Sequence, residues 1–449
     1  MNATKRLTGL AVVLALCLVL GNAAGTYAQA AAQDQGGKQP YTMAEYNSYK
    51  ACADDKVPAS QIKCFDDFVS KYPSSALMIY VYPAYIQDYG SQKNYLKLIE
   101  YADKVNALGD KVDGLVRIQA LYARAGSYLA LSPADQTAQA KGQRDATAAS
   151  LKLLEEVKKP EGATDQAFAD SKKAYAILFN NAAAQAATLQ KDQPAVIGYY
   201  KAVLAINPDD PVAHYLLGKA YLALAPPQQL DAFWHIAKAI TSKAATEPQK
   251  KQLNPYLKKL ILAYQGGTVC DSLSDSEFSE LLQLAGSSAD RPESYKLLSA
   301  ADLDAARKDM TIASVITDLK AGGDKATVTW FAACGLDFPE VPGKLIALSG
   351  TGTDADPVVL KLAFVTSQAE FDAATVADME AKLKGQPEAA KLEKDSLPHV
   401  SATLETYDPA PNFMLHFDKG TVKAEDLPKE SEKPKKAPVR RPAPKKPSN

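Results

Sequence analysis

Few residues of this chain stand at spacings that chemistry requires. His214, His235, His399 and His416 are its only histidines, and none falls in a His-Glu-x-x-His or other paired spacing that would bring two ring nitrogens to one metal. Each reads as a surface or packing residue. Ser60-Gln61-Ile62-Lys63 has the spacing at which a lysine activates a serine, but no Lys-Thr-Gly follows and the motif sits in a stretch of helical periodicity. Gly350-Thr351-Gly352 lacks the Lys-Ser/Thr that completes a phosphate loop, so a hairpin turn accounts for it better. Carboxylates are abundant, at 52 Asp plus Glu, yet no motif frames a pair for acid–base work. The expectation is a protein that is not an enzyme, with no catalytic residue, cofactor or metal.

What remains is recognition chemistry. Tyr80, Tyr82, Tyr85 and Tyr89 crowd one stretch, and aromatic rings with a polar tip serve both helix packing and partner contact. Tyr82, Tyr85 and Tyr89 from one helix pair, with His214, Lys219 and Tyr221 from another, form the candidate partner-binding set.

Cysteine chemistry depends on the compartment. Lys5-Arg6 precedes an apolar run over 7–20, and Tyr27-Ala28-Gln29-Ala30 offers small residues where a signal peptidase reads. A secretory signal is expected over 1–30, with export to the periplasm or beyond the cell. Leu16 is too bulky for Leu14-Ala15-Leu16-Cys17 to serve as a lipoprotein cleavage box. No later run reaches the roughly 18–20 apolar residues a bilayer span needs, so no transmembrane segment is expected after signal removal. Cys52, Cys64, Cys270 and Cys334 then sit where disulfides persist. Cys52 and Cys64 would lie on neighbouring helices, either bridged or as free buried thiols. Cys270 and Cys334 can pair only if the two domains that carry them meet. No Cys-x-x-Cys exists to support a redox or zinc site.

The elements that position these residues are mostly helices. A length of 449 residues exceeds one compact core, and 47% hydrophobic residues is ordinary for a folded chain. Residues 192–224 set the pattern. Ala195, Tyr199 and Ala202 share one helix face and Leu217, Gly218 and Tyr221 another, while Asn207-Pro208-Asp209-Asp210-Pro211 stops one helix and caps and starts the next. Leu217-Gly218-x-x-Tyr221 is followed by Ala232, Ile236 and Ala239, and Ala195-x3-Tyr199-x2-Ala202 precedes Pro208. This spacing resembles the tetratricopeptide repeat. The resemblance implies a solenoid of helix pairs whose concave face binds proteins or peptides.

Helix pairs are expected at 44–56 with 59–72, 76–89 with 94–107, 110–131 with 133–157, 164–188 with 193–206, and 211–224 with 230–242, closed by a helix at 247–264. Pro83 should kink its helix or delay its start. The repeat region is thus 41–266, and 267–323 is a helical extension, with a capping box at 274–277, a helix over 302–319, and a break at Gly322-Gly323.

After Gly323 the period alternates, giving a small β domain over 324–427 with strands at 344–349, 358–366, 379–384, 400–406 and 413–417 and a short helix at 388–394. Five strands with a helix so placed resemble the OB fold, a small Greek-key barrel. Nucleic acid is disfavoured as a partner, because residues 340–426 carry a net charge of −7. Residues 428–449 are Pro-rich and carry +6, a disordered tail that either attracts an envelope polymer or acts as a solvated spacer.

The fold class expected is therefore mainly α: a tetratricopeptide-like solenoid, a small all-β domain and a tail. The function expected is an exported scaffold or adaptor for protein or peptide partners. The alternative is an envelope protein whose barrel holds a glycan or other small ligand.

Overall fold

A computed structural model describes residues 40–428, apart from 268 and 294. The expected signal segment, 1–30, and the expected tail beyond 428 lie outside the described residues. The chain divides into two compact units. Of the described residues, the first holds those up to 257 together with 281–292, and the second holds those of 258–280 and 293–428.

In the first unit the helices are α1 (Met43–Asp54), α2 (Pro58–Lys71), α3 (Met78–Ser91), α4 (Tyr95–Ala107), α5 (Gly114–Ala130), α6 (Pro133–Glu156), α7 (Asp165–Leu189), α8 (Gln193–Ile206), α9 (Pro211–Leu222) and α10 (Gln229–Thr241). Each packs on the next, and α5 also meets α3 and α7. Apolar faces are thus covered by sequence neighbours, and the core breaks into local clusters, one around Phe65, Phe68 and Tyr85 and one around Ile118, Leu121 and Phe179.

Side chains fix where helices begin. Thr42 and Glu45 form a reciprocal capping box at α1, and Ser132 caps α6 with Pro133 in its first position. At α9, Asp210 Oδ1 accepts from the backbone N–H of Val212 and Ala213 at 2.9 and 3.0 Å. Pro83 sits inside α3, which begins at Met78, later than position 76. Cys52 and Cys64 are joined across α1 and α2. Gly218 is where α9 and α10 approach most tightly: a Cβ there would stand 2.8 Å from Ile236 Cγ1 and 2.9 Å from the Ala232 carbonyl.

Helices α11 (Glu247–Tyr264) and α12 (Asp271–Ser287) follow. The capping box expected at 274–277 does not form, because α12 already starts at Asp271 and carries those residues within it. Glu277 instead accepts from Gln265 Nε2 at 2.7 Å.

The second unit differs from expectation at its start. The single helix expected over 302–319 is two, α13 (Ala300–Arg307) and α14 (Ile312–Ala321), because Thr311 opens a new capping box with Ser314. After the positive-φ pair Gly322 and Gly323, the chain makes one more helix, α15 (Gly323–Ala333), where alternation was expected. Val315, Ile316 and Leu319 of α14 and Ala326 and Ala333 of α15 share one core with the strands. The helices supply apolar cover that five short strands lack.

All five expected strands are present: β1 (Asp337–Ser349), β2 (Val359–Phe364), β3 (Met379–Leu383), β4 (His399–Asp408) and β5 (Met414–Val422). β1 starts well before the expected 344 and continues through an irregular register between Phe338 and Val341. A short helix, α16 (Gln368–Ala373), lies between β2 and β3, and a 3-10 turn at Pro387–Lys391 stands where a helix was expected at 388–394. The strands close in the order β1-β2-β3-β5-β4, with β3 and β5 parallel, an OB-like arrangement. Leu345, Leu360, Leu362, Leu404 and Leu415 fill the interior, leaving a void of about 10 Å³, room for one water at most. Cys270 and Cys334 are joined, with Cα atoms 5.6 Å apart. Residues 258–280 belong to the unit that carries the barrel, and that is what brings these two cysteines together.

Candidate functional site: a cleft on the helical array

The last helices of the first unit enclose a cleft of about 760 Å³. Its walls follow from helical spacing. His214, Leu217 and Tyr221 recur at three and four residues on α9, and Asp231, Trp234, His235 and Lys238 do so on α10, so each set faces one side. Lys201 and Leu204 come from α8, Pro208 and Asp209 from the turn before α9, and Arg291 from the segment after α12. The floor is tightly packed: Leu217, Trp234 and His214 are buried. The rim is polar, with Lys201, Asp209, Lys243 and Asp290 exposed.

Three rings stack in sequence. Tyr221 lies parallel to His235 with ring centres 5.6 Å apart, and His235 lies against His214 at 5.3 Å. Lys201 Nζ stands 5.7 Å from the centre of the Tyr221 ring, within cation–π range. Burial holds both imidazoles below the ordinary histidine value; His235 is pushed down to about 3, with His214, Lys201 and Lys238 adding to the effect of burial. Lys238 Nζ donates to the carbonyls of Ala285 and Ser288, each at 3.0 Å, a cation at the carboxyl end of α12. Arg291 Nε pairs with Asp231 Oδ1 at 3.2 Å.

The candidate residues of the sequence reading fall in three places. His214 and Tyr221 line this cleft. Lys219, two residues from both Leu217 and Tyr221 on α9 and so on another face, sits 5.7 Å from the Tyr215 ring centre. Tyr82, Tyr85 and Tyr89 gather around Tyr101, with the Tyr85 and Tyr101 ring centres 4.1 Å apart. Tyr85 is fully buried and donates to Asp66 Oδ1 at 2.7 Å, which is packing chemistry; Tyr82 and Tyr89 are half-buried at the edge of that cluster.

Sequence reasoning did not pick out Lys201, Trp234, His235 or Lys238. The three- and four-residue spacing of 231, 234, 235 and 238 was the available signal. Arg291 had none, since its partner Asp231 is 60 residues away. The barrel carries a smaller cleft of about 280 Å³, with Lys382, Lys384 and Lys419 on its rim. Among the described residues no group of three or more His, Cys, Asp or Glu side chains is arranged to hold a metal, and no helix is long and apolar enough to cross a membrane. Comparison of the chain with protein-family models, curated proteins and solved structures found no match.

Proposed function

We propose that this protein is an exported, non-enzymatic adaptor whose tetratricopeptide-like helical array binds a protein or peptide partner. The observation that carries the reading is the cleft of about 760 Å³ on α8 to α10. It combines buried aromatic walls with a charged rim, the composition of a recognition surface. Helices that cover one another in sequence suit a stack that offers such a surface repeatedly along its length. The barrel interior is filled by its own side chains, which speaks against a ligand held inside it.

Export is supported by the cysteines: Cys52 pairs with Cys64 and Cys270 with Cys334, an arrangement that an oxidising compartment maintains. Crosslinking in intact cells, followed by purification and mass spectrometry, tests the adaptor reading. A partner captured by the full chain and lost on charge reversal of Lys201 and Lys243 supports it; no captured protein, or capture indifferent to those residues, opposes it. Thiol alkylation of the protein as isolated tests the compartment, since four blocked cysteines are expected and reactive thiols at these positions would contradict export.

A further inference from the structure

The hydrogen-bond polarity of the cleft is fixed by its two histidines. His214 Nε2 lies 2.9 Å from the Pro208 carbonyl oxygen. A carbonyl only accepts, so Nε2 carries the proton, and in the neutral ring Nδ1 is a bare lone pair. His214 Nδ1 in turn lies 3.1 Å from His235 Nδ1, so His235 must donate from that nitrogen. Its remaining nitrogen, Nε2, is therefore a lone pair. It has no hydrogen-bond partner among the described residues, and it keeps some accessible surface on a half-buried residue that lines the cleft.

The charges around it are unevenly committed. Asp231 is held by Arg291, and Asp209 Oδ2 accepts from the backbone N–H of Lys243 at 3.2 Å. Lys238 is held by two carbonyls. Lys201 and Lys243 have no carboxylate within ion-pair distance among the described residues, Asp209 and Asp290 remain as unpaired carboxylates on the rim, and the lining as a whole holds four cations against three carboxylates. Outside the expected signal and tail the chain carries a net charge of −9, whereas the cleft lining carries one cation more than it has carboxylates.

We propose that the cleft takes an acidic peptide segment, whose backbone N–H donates to His235 Nε2 and whose carboxylates meet Lys201 and Lys243. This rests on the adaptor reading above and names the partner's chemistry. A bare imidazole nitrogen selects a donor, and the lysines select anions; a backbone amide next to a Glu or Asp side chain offers both within one residue. An exposed pair gains little from charge alone, so the acceptor at His235, sheltered against Tyr221 and His214, contributes the discrimination. The lysines then steer encounter and fix register.

Full-length protein with ¹⁵N-labelled histidine provides the test, read near neutral pH. The unliganded spectrum is expected to show His214 protonated at Nε2 and His235 at Nδ1; the reverse assignment overturns the proposal. The probe is acetyl-(Gly-Glu)4-amide at up to 1 mM, with acetyl-(Gly-Gln)4-amide and an N-methylated form of the first peptide as comparisons. The Glu peptide is expected to shift the His235 Nε2 resonance. The Gln peptide, the N-methylated peptide and the Lys201→Gln/Lys243→Gln variant are each expected to weaken binding about tenfold. No shift at 1 mM, or equal binding of all three peptides, overturns it. Capture of a cellular partner that persists while the Glu peptide fails would sink this inference alone; failure of both would sink the adaptor reading with it.

Discussion

Asp88 on α3 should make the first unit less stable as the pH rises, and Asp88→Asn should remove that dependence. The carboxylate is 5% exposed, and its Oδ2 is buried with no hydrogen-bond partner. Burial first, and the charge of Asp55 second, push its pKa from 3.8 up to about 7. A folded-state value above the unfolded one means that the folded form holds the proton more tightly. The associated stability is fully present below 3.8 and is lost as the pH rises through about 7. That interval corresponds to a total loss of about 4 kcal/mol, of which about 3 kcal/mol falls between pH 5 and pH 8. Urea unfolding followed by circular dichroism at those two pH values, on wild type and Asp88→Asn, reads the difference directly. The variant should gain on wild type by about 3 kcal/mol between pH 5 and pH 8. Parallel pH dependence in the two proteins would refute the reasoning.

Three further outcomes are expected. Glu277 is pushed up to about 7, chiefly by burial, so Glu277→Gln should flatten the stability of the second unit between about pH 4.5 and 7; an unchanged profile in thermal unfolding would count against it. Gly218→Ala places a methyl against Ile236 and the Ala232 carbonyl and should cost about 1–3 kcal/mol in urea unfolding, where a neutral result would deny the close approach of α9 and α10. Arg124 is 2% exposed and bridges Asp103 and Gln143, so Arg124→Ala should destabilise the first unit by about 3 kcal/mol in the same assay, and a cost below about 0.5 kcal/mol would show the bridge to be incidental.

Fold class was legible where a single physical signal was strong and local. Pro211 behind Asp210 marks a helix start whatever else the chain does, and alternation at Leu360 and Leu362 and at Val400, Ala402 and Leu404 marks two strands with one buried face each. Reading failed where a weaker local signal met a tertiary one. Residues 323–333 follow two glycines and look like a boundary, but their small residues fit a helix against the barrel core. Ser274 and Glu277 have capping-box spacing, yet the helix had already begun. The meeting of Cys270 with Cys334 depends on which residues share a compact unit, a property no local window contains.

The site was legible in part for the same reason. His214 and Tyr221 lie on one face of one helix, which spacing reveals; their pairing with His235 depends on how α9 lies against α10, and that is set by Gly218. Tyr85 drew attention as an aromatic among aromatics, but a ring buried this completely, with its hydroxyl bonded to Asp66, has nothing left to offer a partner.

Site-specific photocrosslinking tests the central claim most directly: a benzophenone side chain placed at Leu204 or at Ala289, cleft-lining positions that carry no proposed contact, or at the exposed Lys141 on α6, in the full-length protein in intact cells. The adaptor reading predicts one discrete protein adduct from the two cleft positions and none from position 141. Adducts from position 141 alone, or no adduct from either cleft position, would contradict it.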